Sequence, residues 1–202
     1  METPETSGKT HRHHGDLRET LISAGIELLD EGGLEALTLR RCAARAGVSH
    51  AAPAHHFKGI SGLLTAIVAR GYRKFTLTMI EEREKAANEP YARLEAICQG
   101  YLRFARENDA LFVLMFSPQK LDFDDEELAL QSESAYEVLA ETCAPFQHGE
   151  AGSQGTEIMV WSLVHGFAVL SRRNRSGIAD KMTPAVHFSD ILPQLALKLP
   201  TP

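Results

Sequence analysis

The chain has 202 residues, of which 44% are hydrophobic and 24% charged, and its formal net charge is -6. That length can bury a real core in one large or two small domains, and the negative balance excludes a generally basic nucleic-acid coat protein. No apolar run is long enough for a membrane span, and the opening METPETSGKTHRHHG has no apolar signal core, so the expectation is a cytoplasmic protein with no membrane partner.

The charge is uneven. Acids outnumber bases after residue 60, most densely in DFDDEE at 122–127, whereas the two signs nearly balance before it. A DNA-binding end would therefore depend on local placement of cations. Cys42, Cys98 and Cys143 are far apart and in no metal-ligand spacing, which fits reduced thiols within helices.

Helical periodicity dominates and no alternating run is bounded by hairpin turns, so the fold class is all-α. Residues 1–15 are polar and aperiodic, and are expected to form a flexible arm. Asp16 followed by Glu19 resembles a capping box; Leu17, Leu21, Ala24 and Leu28 then repeat at helical spacing until Gly32-Gly33. Thr38 is the N-cap of a short helix running to about Ala46. Beyond Gly59 a long helix starts near Ser61, with an apolar stripe of Leu64, Ile67, Val68, Gly71, Phe75 and Met79, and ends in EEREKAANE. Pro90 opens the next helix, which sets Leu94, Ile97, Cys98, Tyr101 and Ala105 on one face. ALFVLMF at 110–116 predicts a short buried helix, and 125–143 a more polar one ended by Pro145. QHGEAGSQG at 147–155 is expected to be a flexible connection. A helix apolar on most sides follows from Thr156 to about Asn174, with Arg172, Arg173 and Arg175 complementing its dipole. Thr183-Pro184 opens a last helix, kinked at Pro193.

The stretch RCAARAGVSHAAPAHHF, Arg41–Phe57, carries the main functional signal. Ala43 lies four residues before Gly47, so a small side chain permits a close helix crossing where glycine supplies a left-handed turn. Val48 plugs the junction, Ser49 caps the next helix, and Phe57 closes the small core. The second helix, His50 to His56, exposes the small Ala51 and Ala52, which allow close backbone approach to DNA and methyl contact with thymine. A plain helical hairpin is the competing explanation.

LTLRRCAARAGVSHAAPAHHFKGISGLL resembles the N-terminal domain of the TetR (tetracycline-repressor-like) transcriptional regulators. MVWSLVHGFAVL resembles the Trp-x-x-x-His-Gly segment of the WHG-type C-terminal domain in one branch of that family. The resemblance implies a DNA-binding domain at 16–60 and a helical ligand-binding and dimerisation domain at 61–202. Thr38 and Ser49 would offer hydroxyls and amides to phosphates. Arg40, Arg41 and Lys58, and Arg45 if it faces outward, would neutralise phosphates. His50, Ala51, Ala52 and His55 would meet base edges, and His56 would contact phosphate or pack. Ala54 stands where the family has a tyrosine, Ile60 where it has a lysine, and Pro53 replaces a leucine or isoleucine and shortens or distorts the helix.

The same resemblance implies a homodimer on a palindromic operator, most often as a repressor released by a small-molecule effector. The helices near 156–174 and 184–197 would form the dimer interface. Tyr72, Phe75, Met79, Tyr101, Phe104, Phe112, Met115, Phe116, Trp161 and His165 are the candidate pocket residues, and their few polar tips suit an apolar or amphipathic ligand. No catalytic motif is present, and no cofactor or bound metal is expected. The alternative is a helical metal-binding protein or enzyme using His165 or the N-terminal His11, His13 and His14. The arm could also reach DNA through Arg12.

Overall fold

A computed structural model describes residues 10–117, 121–172 and 186–200, with side chains from Leu17 onward. Among the described residues the structure has eight α-helices and no strand. The helices are α1 (Thr10–Ala36), α2 (Leu39–Arg45), α3 (Gly59–Lys85), α4 (Pro90–Glu107), α5 (Asp109–Phe116), α6 (Glu126–Cys143), α7 (Gly152–Arg172) and α8 (Phe188–Ile191).

The chain divides into two compact units, Met1–Gly71 with Ala110–Ala129, and Tyr72–Asp109 with Leu130–Pro202. The first unit is built on α1, whose Leu21, Ile22, Leu28 and Leu29 are buried. The helical conformation breaks at Gly32 and at Gly33, whose φ of 66° is left-handed, where the glycine pair predicts a stop. The head does not finish at residue 60. Leu63, Leu64, Ile67 and Val68 of α3 are buried with it, and a Cβ on Gly25 would come within 2.7 Å of Ile67 Cδ1. The segment after α5 also belongs to this unit: Asp122 donates its amide to Thr65 Oγ1 at 2.9 Å, and Arg18 donates to Glu127 at 2.9 Å.

In the second unit α3 and α4 approach at Gly100, where a Cβ would lie 2.8 Å from Met79 Cα and from the Thr78 carbonyl. The predicted α4 face is buried at Leu94, Ile97, Cys98, Tyr101 and Ala105. Phe75 packs edge-on to Tyr101 at 4.8 Å and tilted against Phe104 at 5.2 Å between ring centroids. Burial pushes the Cys143 thiol up to about 12 and moves Cys98 further in the same direction, so both remain thiols.

Several sequence expectations are corrected. Residues 10–15 are helical, not part of an arm, and α1 starts six residues before Asp16; residues 1–9 lie outside the described residues, as do the side chains of His11, Arg12, His13, His14 and Asp16. Glu19 does not close a capping box but pairs with Arg18 and Arg70. The 147–155 connection is held: Gln147 donates its amide to the Lys198 carbonyl at 2.7 Å, and His148 Nδ1 meets Thr156 Oγ1 at 3.1 Å. α7 already begins at Gly152, whose φ of +68° turns the chain into it. Arg172 is bonded to Asp109 rather than only capping a dipole; Arg173 and Arg175 lie outside the described residues. The expected Thr183-Pro184 helix start lies outside the described residues, and no long helix fills 186–197. α8 is one turn, Leu192–Leu195 is a 3-10 turn, and the chain then runs irregularly. Pro193 lacks the amide that would have continued the ladder.

Candidate nucleic-acid interface

Thr38 caps α2 as its sequence predicts, its extended backbone leaving Oγ1 to accept the Arg41 amide at 3.2 Å. Ala43 is fully buried, so nothing protrudes at the crossing. Gly47 then turns the chain with φ +69°, and Val48 donates its amide back to the Ala43 carbonyl at 3.0 Å. Phe57 is buried beneath the far end, with the Arg18 guanidinium 5.8 Å from its ring centroid.

The expected His50–His56 helix is a 3-10 turn over Ala52–His55. Pro53 sits in its first turn and is buried. Without an amide there, the backbone closes through i to i+3 bonds: Ala52 to Ser49, Ala54 to Ala51 and His56 to Pro53, at 3.0, 3.2 and 3.0 Å. Ser49 contributes its carbonyl, and the capping position falls on Ala51 with no side-chain bond. Ser49 as a side-chain cap is thus corrected.

His50, Ala51, Ala54 and His55 are exposed and Ala52 is half-buried, while Pro53 points inward. A run of small groups therefore faces out between two imidazoles. Thr38, Arg40, Arg41, Ser49 and Lys58 are also exposed, and Arg40, Arg41 and Lys58 make no ion pair among the described residues. Arg45 does not join them. Its guanidinium binds both carboxylate oxygens of Glu31, at 2.9 and 2.7 Å, and Glu27 at 3.1 Å. Its hydrogen bond holds Glu31 below the usual carboxylate range. His56 is half-buried and its ring lies 6.3 Å from that of Phe57, the packed alternative. Ala54, expected only as the replacement of a tyrosine, is exposed in the same turn and adds another small side chain to this surface.

The ten pocket candidates are dispersed. Phe112, Met115 and Phe116 belong to the first unit, and Phe112 and Phe116 pack on each other at 5.0 Å. Phe75, Met79, Tyr101 and Phe104 are buried core of the second. Tyr72 is half-buried and its hydroxyl is pushed up by burial. Trp161 is 44% exposed, which corrects its placement in a cavity. The Tyr101 hydroxyl lies 2.7 Å from His165 Nδ1. None of the ten lines either of the two clefts described for the second unit. Among the described residues no three His, Cys, Asp or Glu side chains gather as a metal site, and no helix is long and apolar enough to cross a membrane.

A capped short helix, a left-handed glycine turn and an exposed second segment define the helix-turn-helix regulators as a class. Residues 21–67 match the family described as bacterial regulatory proteins, tetR family, and residues 94–188 match the tetracyclin repressor-like C-terminal domain. The chain belongs to the tetR family. The HTH-type transcriptional regulator BetI of Burkholderia thailandensis is 35% identical over 80 residues, covering 40% of this chain and 41% of that protein. The chain thus matches under half the length of that curated relative. A Rhodococcus sp. RHA1 protein of unknown function shares the fold with a TM-score of 0.72 at 24% identity, covering 93% of this chain and 95% of its own. The TetR-family transcriptional regulator PfmR of Thermus thermophilus does so at 0.57 and 18%, covering 87% and 93%.

Proposed function

We propose that this chain is a ligand-responsive transcriptional regulator that binds a palindromic operator as a homodimer and acts as a repressor. The observation that carries the reading is the exposed His50–Ala51 and Ala54–His55 surface flanked by Arg40, Arg41 and Lys58, cations with no ion-pair partner among the described residues. The cations neutralise phosphates, and the small side chains admit backbone and imidazoles to base edges. Its place of work is the cytoplasm, with the chromosome.

The dimer forms through α7. Ile158, Ser162, Gly166 and Leu170 recur every four residues along that helix; Ile158 and Leu170 are 60% and 49% exposed, and a Cβ on Gly166 meets nothing within 4 Å. A small-residue centre flanked by large apolar ends suits a close crossing of two copies. The irregular segment after α8 supplies no second long helix, so α7 carries the interface.

The test is a mobility shift on the DNA upstream of the chain's own gene across a salt series. With three cations per head and two heads, log K should fall with log[salt] with a slope of about -5. Lys58→Ala should weaken binding to all sequences alike, whereas His50→Ala should relax preference at one position. Binding that ignores salt, or the two variants exchanging behaviours, overturns the assignment.

A further inference from the structure

The second unit holds a cleft of about 510 Å³ walled by the C-terminal halves of α4 and α7 and by the segment entering α8. Its volume lies in the range of small-molecule sites. Two features of its lining say what it would hold. Ala105 and Ala168 are buried and small, which leaves room between the helices, and the accessible apolar surface is Leu102, Val186 and Phe167, the last backed by buried Phe188 with ring centroids 5.4 Å apart. That end is apolar and fixed. Arg172 and Asp109 also line the cleft, but they are bonded to each other, so their charges cancel. Arg106 lines it too, is exposed, and makes no ion pair among the described residues. Asp109 is the only carboxylate among the described lining residues, so these carry one uncompensated positive charge beside an apolar wall.

We infer that this cleft binds an amphipathic carboxylate, its apolar body against Leu102, Phe167 and Val186 and its anionic head at Arg106. This deepens the ligand-responsive reading, rests on it for any effect on DNA, and places the ligand away from all ten residues the sequence suggests. A neutral apolar ligand would leave Arg106 unused, and a cationic one would meet a like charge.

The experiment is calorimetric titration of the full chain with decanoate and 2-naphthoate, each below its aggregation concentration, beside decan-1-ol and decyltrimethylammonium. The expected result is saturable binding of at least one carboxylate at one per chain, about tenfold tighter than decanol. Arg106→Gln, an exposed change, should remove that advantage. Ser171→Trp, also exposed and in the cleft wall, should abolish binding of carboxylate and alcohol alike while the denaturation midpoint stays put. No saturable carboxylate binding, equal binding of decanol, preference for the cation, or indifference to either substitution overturns the site. A mobility shift separates the two proposals. DNA binding without carboxylate binding sinks the cleft and leaves the regulator. Carboxylate binding by a chain that shifts no DNA sinks the regulator and leaves the cleft.

Discussion

Thr38 and Gly47 hold the two ends of α2, and each does so by a means specific to its residue type. Thr38 Oγ1 takes an amide that would otherwise go unpaired, so Thr38→Ala should lower stability by about 1 kcal/mol in chemical denaturation. Thr38→Ser should restore most of it, because serine keeps the accepting oxygen. Gly47 meets no neighbour within 4 Å, so its requirement is backbone conformation alone. His165 is the residue whose pH behaviour follows from its surroundings. Burial holds its imidazole below the ordinary 6.5, so the folded chain favours the neutral ring. The unfolded chain takes up a proton first as pH falls through 6.5, so stability should drop below that value and level off once the folded ring titrates. Denaturation midpoints between pH 7.5 and 5 check this: the decline should be shallower in His165→Gln, and parallel curves would remove His165 as its cause.

At the scale of elements, α3 and α4 are the pair whose separation a single atom sets. A side chain on Gly100 would collide with backbone at Met79 and Thr78, which cannot swing aside as a flexible side chain can. Gly100→Ala should therefore cost about 1–3 kcal/mol despite alanine's better helix propensity, measurable as a lowered urea midpoint. A stabilised variant would mean the helices have slack. The stripes of α3 and α4, the Pro90 start and the Thr38 cap were all legible in the sequence, because periodicity and capping are local. The recognition turn was half legible: Pro53 announced a distortion, but its 3-10 geometry follows from which carbonyls remain within reach of the next amides. The end of the chain was misread. Within 186–197 the helix starts late, where Asp190 accepts the His187 amide at 3.0 Å in a capping box, and Pro193 keeps it to a single turn.

For the whole molecule the proposed homodimer makes the exposed face of α7 the surface to probe. Gly166 is the sharpest probe, since its Cβ direction is unoccupied within the chain. Gly166→Glu should leave the denaturation midpoint of the isolated chain unchanged or slightly raised, because glycine is a poor helix former. It should also shift the protein from dimer to monomer in sedimentation and abolish the mobility shift. A Gly166→Glu protein that stays dimeric would move the interface off α7.

The sequence by itself determined the helical class, the capped α2, the glycine turn and the small exposed residues that follow it. Each of these is written within one or two helical turns, where spacing and residue type already specify geometry. Only the tertiary structure decided that Arg45 is bound to Glu27 and Glu31, that the aromatic residues chosen for a pocket are mostly packed core, and that a cleft with Arg106 on its wall lies between α4 and α7. Those facts turn on which distant residues come within a few ångströms of one another, and hydrophobic periodicity gives a helix its buried face without naming the neighbour that buries it.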